Sequence, residues 1–281
     1  MKIRINGIDA DIQPDTEKTV GEVLSALESW LFGSGHRLSG LSIDGDAARV
    51  ETMEACFTRE IDSIGILDIH TRALTELLAE SLIHVMQDIT DYEEADYEQK
   101  THFAVSWQES PGARLLAEQS SELYHWIVQA FSGSGSSTHV IRTIVEERLR
   151  ELHDPIGETA RTQPVVEEIC KRLEEFPLDI QTGKDARAAE TINVFSGIAE
   201  KVFRMYRVLR IEGCITDEVM VENTPIDTYI SEFNTALQEL LAAYEQRDTV
   251  LVGDITEYEM APRLRNVHAA VLHTITQSKG V

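Results

Sequence analysis

Two sets of carboxylate and histidine side chains have a spacing that could bring them together for metal binding. Glu122 and His125 are three residues apart, which places a carboxylate and an imidazole on one face of a helix. Glu80, His84 and Asp88 follow at steps of four and could line another face. A di-iron bundle needs two Glu-x-x-His motifs, and the sequence contains one. We therefore expect no cofactor, and we keep metal binding at Glu122, His125 and His84 as an alternative.

The other residues whose side chains could take part in catalysis do not form known catalytic motifs. His268 and His273 are five residues apart, so a helix would not align them on one face. The stretch 182–184, Thr-Gly-Lys, lacks the upstream glycine of a phosphate-binding loop and precedes Asp185. The sequence has no Gly-x-Ser-x-Gly nucleophile elbow. We therefore predict that the protein is not an enzyme.

An acidic segment at residues 88–98 is the first candidate contact surface. It contains six carboxylates and no basic residue. A run of this kind is typical of a solvated helix face. The alternative is a partner-binding surface formed by Glu93 and Glu94, because Tyr92 and Tyr97 add amphipathic contact area among the charges. A calcium loop would need a central glycine, which this segment lacks.

A basic strip is the second candidate surface. Its members, at three-residue intervals, are Lys201, Arg204, Arg207 and Arg210. On a helix they sweep about half of the circumference, opposite the apolar arc. Either these cations pair with the chain's own acids, or they recognise an acidic partner or a second copy of the chain.

Bulk composition restricts the classes of partner. The chain has 281 residues and a formal net charge of −24, which opposes binding to nucleic acid and anionic lipid. Its three cysteines are too few and too scattered for a disulfide framework. The first residues do not read as a signal peptide, and no apolar run approaches the roughly 18 residues that cross a membrane. We expect a cytoplasmic protein with no membrane insertion.

The hydrophobic period changes near residue 70. Before it, Asn6-Gly7 predicts a hairpin with a return strand reaching Ile12, and Thr19 with Glu22 predicts a helix capping box. A last strand runs near 64–69. The order strand, strand, helix, strand, strand resembles the β-grasp arrangement of ubiquitin-like and sulfur-carrier proteins. Such carriers act through a free C-terminal Gly-Gly, whereas this region continues into a helix at Thr71, so the resemblance implies a docking module.

The remaining chain reads as amphipathic helices separated by cap and proline signals. One helix is predicted from Pro111 to Phe131, and Pro164 is expected to open another. A long helix follows from Asp185 to Glu212, and Thr224-Pro225 should start the next. The fold class is therefore α+β, with a β-grasp-like head at 1–70 and a large antiparallel helical bundle at 71–281. The Gly/Ser-rich stretch near 132–137 is a candidate subdivision of the bundle.

Two C-terminal stretches resemble segments of uncharacterised bacterial helical proteins. They are Thr182-Gly183-Lys184-Asp185, and Asp254 to Glu259 followed by Pro262 and Leu264. This resemblance implies a bacterial protein, and it brings no activity or cofactor with it.

These observations favour a non-enzymatic, cytoplasmic protein-binding adaptor, assembly factor or chaperone. Its partner would be a protein, and self-association is a further expectation. One alternative is a metal- or small-molecule-binding helical bundle centred on Glu122 and His125. Another is a self-assembling structural component.

Overall fold

A computed structural model describes residues 1–135, 137–215 and 218–278. The chain divides into two compact units, Met1–Leu149 and Arg150–Val281. The boundary expected at residue 70 stays a prediction. So does the subdivision at 132–137, which includes Ser136, a residue outside the described ranges. An N-terminal sheet followed by helices confirms the α+β class.

The first unit begins with a mixed five-stranded sheet and one long helix. The strands are β1 (Lys2–Ile5), β2 (Ile8–Asp9), β3 (His36–Ile43), β4 (Asp46–Ala47) and β5 (Ile66–Ala73). The helix is α1 (Val20–Gly33), and the short α2 (Met53–Phe57) follows β4. The strand order is β2-β1-β5-β3-β4, with β1 and β5 parallel and the other pairs antiparallel. Ile3, Leu67 and Ile69 are almost fully buried between the sheet and α1.

Local chemistry explains how this region starts. Asn6 and Gly7 have φ angles of 52° and 79°, the two positive values that a type I′ hairpin turn requires. The return strand is shorter than predicted, because pairing ends at Asp9. The side chain of Thr19 accepts a hydrogen bond from the backbone of Glu22, and Glu22 bonds back to Thr19, so the capping box is confirmed.

The helices of the first unit follow without a spacer. They are α3 (Leu74–Glu94), α4 (Tyr97–Gln108), α5 (Pro111–Gln119), α6 (Ser121–Phe131) and α7 (Thr138–His153), which crosses into the second unit. Ser110 caps α5 through the backbone N–H of Ala113, as the sequence predicts. The prediction of a single helix from Pro111 to Phe131 is wrong. Ser120 adopts φ −152° and ψ 68° and divides this stretch into two helices.

The second unit is built around the long helix α10. Its elements are α8 (Pro155–Glu174), α9 (Phe176–Gln181), α10 (Asp185–Ile211), β6 (Met220–Val221), β7 (Thr224–Pro225), α11 (Ile226–Glu245), α12 (Thr249–Asp254), a π-helical segment (Ile255–Met260) and α13 (Ala261–Ser278). Phe176, Phe195 and Phe233 are fully buried in its core.

Two proline signals were misread in the second unit. Pro164 lies inside α8 instead of opening a helix. The burial of Val166, Ile169 and Leu173 along α8 offsets the backbone hydrogen bond that a proline removes. Thr224-Pro225 belongs to a small hairpin, and α11 begins only at Ile226. Within the described ranges, no helix is both long and apolar enough to cross a membrane.

His268 is expected to make the stability of the second unit depend on pH. Its side chain is 3% exposed, and its Nε2 lies 3.0 Å from the backbone oxygen of Thr159. Burial lowers the pKa of His268 below its ordinary value of 6.5. The unfolded chain therefore binds this proton more readily, so stability is lost as pH falls from 6.5 through the folded-state pKa.

We expect His268→Gln to lose less stability than the wild type between neutral and mildly acidic pH, measured by urea denaturation at each pH. An equal loss in both proteins would contradict this role.

Candidate functional site

The metal-binding alternative is not supported by a ligand cluster. Glu122 and His125 lie on the exposed side of α6, and the Nδ1 of His125 is 2.5 Å from the backbone oxygen of Ser121. His84 lies exposed on α3. Among the residues that the structure describes, no three His, Cys, Asp or Glu side chains are grouped to hold a metal ion. Metal binding there stays a prediction without a built site.

The acidic segment divides into a packed half and an exposed half. Tyr92 packs against Phe103 and Phe131, with ring centroids 5.3 and 5.2 Å away. Glu93 accepts hydrogen bonds from Thr138 at 2.7 Å and from Arg142 at 3.2 Å. These side chains therefore hold α3 against α4, α6 and α7.

The other candidates in the acidic segment face solvent. Glu94 ends α3 and is exposed, and Tyr97, the first residue of α4, is 87% exposed. Between them, Asp96 caps α4 by accepting a bond from the backbone of Gln99. The helix therefore breaks within the acidic segment, and partner contact through its residues stays a prediction.

The first half of the basic strip is used inside the second unit. Glu151 is 1% exposed, and the guanidinium of Arg204 donates to both of its oxygens, at 2.7 and 2.9 Å. The Nζ of Lys201 lies 3.7 Å from Glu151 and 3.8 Å from Glu158. A buried carboxylate needs such paired cations because desolvation of an unpaired charge is costly.

The second half of the strip faces outward. A three-residue step falls about 60° short of a full helical turn, so the four cations rotate around α10. Arg207 and Arg210 are exposed, and Arg210 is hydrogen bonded to the hydroxyl of Tyr206. Arg207 makes no ion pair with any residue in the described ranges. Arg207 is thus the member of the strip that is available to a partner.

Arg207 lies on a groove between α10 and α11 that encloses about 520 Å³. Phe233 is fully buried beneath it, and its ring meets that of Phe203 edge to face at 5.0 Å. The half-buried Ile230 and Leu237 continue the apolar surface along α11. The other lining residues are Ser196, Ala199, Glu200, Tyr206, Asp227 and Asn234.

The two walls of the groove run in opposite directions. Phe195 of α10 stacks on Phe233 with ring centroids 5.8 Å apart, and Phe203 meets the same ring edge to face, near the middle of the α11 wall. Tyr206 and Arg207, near the end of α10, line the groove together with Asp227, at the start of α11. The carboxylate of Asp227 is close enough to add to the effect of burial in raising the pKa of Tyr206. Arg207 and Asp227 therefore occupy the same end of the groove.

A second, smaller cavity of about 300 Å³ lies where the β6–β7 hairpin meets the π-helical segment. Glu222 accepts hydrogen bonds there from the hydroxyl of Tyr229 at 3.2 Å and from Asn266 at 3.1 Å. Glu222 and Asn223 form the hairpin turn with φ angles of 50° and 68°. The polar side chains that line this cavity hydrogen bond to one another, whereas the groove presents an open apolar surface.

Sequence reasoning identified Arg207 but not the groove. Ile230, Phe233 and Leu237 belong to the apolar stripe of α11, and that pattern predicts burial whether or not two helices leave a gap. The gap depends on how α10 and α11 pack, for which the sequence carries no local signal. The hairpin that precedes α11 was missed because its turn contains Glu222 and Asn223 without glycine.

Comparison with known proteins gives similarities but no activity. Residues 1–73 match a family model described as the TP0873 N-terminal domain, and residues 158–270 match one described as a domain of unknown function, DUF8042. The latter range contains the whole groove. A protein of Treponema pallidum (strain Nichols), described as uncharacterized, is 28% identical over 101 residues, which make up 36% of this chain and 50% of that protein. This chain thus spans half the length of that relative. No solved structure matches this chain significantly.

Proposed function

We propose that this protein is a non-enzymatic protein-binding adaptor, of the assembly-factor or chaperone kind, and that it binds its partner in the groove between α10 and α11. The single observation that carries the proposal is an open groove with an aromatic floor and polar edges. Interfaces gain most of their affinity where an apolar side chain fills such a depression and a polar rim excludes water.

The length of the groove suits a helical segment of the partner. Its lining residues run from Ser196 to Arg207 on α10 and from Asp227 to Leu237 on α11. At a rise of about 1.5 Å per residue, each wall is about 15 Å long, or about three helical turns. This length matches the mode in which an amphipathic helix places anchors at i, i+3 or i+4, and i+7 in a groove.

The charge of the chain and the N-terminal sheet complete the proposal. A net charge of −24 favours a partner with a basic surface by steering their encounter. The strand order with the single long helix α1 supports a β-grasp-like docking module, as an argument from fold alone. A cytoplasmic location is part of the same proposal, since none of the three cysteines, all within the described ranges, forms a disulfide.

A photo-crosslinking residue placed in α11 of the full chain tests the proposal in the native cell. At Asn234, which lines the groove, we expect one discrete crosslinked protein, and at the exposed Gln238 outside the groove we expect none. Leu237→Asp should abolish the crosslink because it puts a charge on the apolar surface. Leu241→Asp, a matched change at an exposed leucine one turn further on, should leave it intact.

The crosslinking result also separates this proposal from its competitors. Equal crosslinking from positions 234 and 238, or none from 234, would remove the groove as a protein-binding site. A crosslink to a second copy of the chain would favour the self-assembling alternative. Small-molecule binding is the second candidate, because about 520 Å³ lies within the range of ligand pockets, about 300–1,000 Å³.

A further inference from the structure

The groove contains two opposite charges that the described residues leave without an ion-pair partner. Arg207 and Asp227 are both exposed, and they lie on opposite walls at the same end. Neither forms an ion pair with any residue within the described part of the chain, and they do not pair with each other. The guanidinium of Arg207 and the carboxylate of Asp227 therefore lie beyond ion-pair distance of each other.

Away from this end, the charged lining residue is held in an ion pair. Glu200 is the remaining charged lining residue, and Arg204 donates to its carboxylate at 2.8 Å. Ser196 and Asn234, further from the charged end, are polar and uncharged. The charged lining residues without an ion-pair partner are thus confined to one end, which distinguishes the two directions in which a helix can lie.

An occupant of the groove would remove water from both charges. A desolvated charge without a counter-charge is unfavourable, and complementary charges restore the loss and fix orientation. On the proposed function, we infer that the occupant is an amphipathic helix of a partner protein that carries one acidic and one basic side chain at the same end of its apolar stripe. The acidic side chain contacts Arg207, and the basic one contacts Asp227 on the opposite wall.

Peptide selection against the full chain tests this charge code. The probe is a displayed library of amphipathic helices with leucines at the i, i+3 and i+7 positions, in which the flanking positions vary among Glu, Lys and Ser. We expect enrichment of peptides with Glu on one side and Lys on the other side of one terminal leucine. Ser should be tolerated at the flanks of the other leucines.

A charge exchange supplies the control, because Arg207→Asp combined with Asp227→Arg leaves the net charge unchanged. The exchanged protein should bind the selected peptide about tenfold or more weakly, and a peptide with Glu and Lys interchanged should recover that loss. Circular dichroism and thermal unfolding establish that the exchanged protein is folded.

The outcomes distinguish the inference from the proposed function. Selected peptides that show no charge preference, or that bind the exchanged protein equally well, overturn the charge code and leave groove binding intact. Failure to enrich any peptide, or enrichment that Leu237→Asp does not abolish, overturns the proposed function and the inference with it.

Discussion

Replacing Glu151 by alanine is expected to lower the free energy of unfolding of the second unit by about 3–5 kcal/mol. Glu151 is 1% exposed and receives two hydrogen bonds from Arg204, with Lys201 close by. Its removal leaves two cations, whose side chains are 19% and 21% exposed, facing a site that has lost its negative charge. Urea denaturation followed by far-ultraviolet circular dichroism measures the loss.

Glu200→Ala is the matched control for this prediction. Glu200 also pairs with Arg204, but its side chain is 43% exposed, and such pairs contribute less than about 1 kcal/mol. A loss in Glu151→Ala no larger than in Glu200→Ala would show that the buried network does not stabilise this unit. Partner binding would then be the favoured role of Lys201 and Arg204, the first two members of the basic strip.

Replacing Phe131 by alanine should destabilise the first unit by about 3–5 kcal/mol. Phe131 is 1% exposed, and its ring centroid lies 5.0 Å from that of Phe103 and 5.7 Å from that of Trp107. Truncation removes the centre of this aromatic cluster and leaves a cavity that the surrounding helices fill incompletely. The loss is measured by chemical denaturation, and the emission of Trp107 should shift as water reaches its ring.

Tyr97→Ala serves as the control in the same unit. Tyr97 is 87% exposed, so its removal should change stability by no more than about 0.5 kcal/mol. If Tyr97→Ala proved as costly as Phe131→Ala, the division of the acidic segment into packed and exposed halves would be wrong.

Local signals in the sequence predicted local structure well. The Asn6-Gly7 turn and the Thr19 capping box were predicted correctly, because each depends on residues within one turn of the chain. The interior proline at Pro164 was misread because its tolerance depends on burial along the rest of α8. Propensity is a weak guide wherever tertiary packing outweighs it.

The candidate site shows the same limit. Helical spacing brought Lys201, Arg204 and Arg207 together as one strip. It could not show that two of them would meet a buried carboxylate on another helix, since Glu151 is 50 residues or more away in sequence. Tertiary contacts determine the roles of these cations, and the sequence predicts only their angular positions around α10.

The direct passage from β5 to α3 has a consequence for modularity. The similarity to the TP0873 N-terminal domain ends at residue 73, the last residue of β5, and α3 begins at Leu74. The backbone N–H of Leu74 donates to the carbonyl of Gly35 at 2.8 Å, just before β3. A fragment that ended at residue 73 would therefore lack the donor of this hydrogen bond. The matched segment thus ends one residue before a backbone contact of the sheet region, and any non-proline residue after Ala73 would supply the N–H that this contact needs.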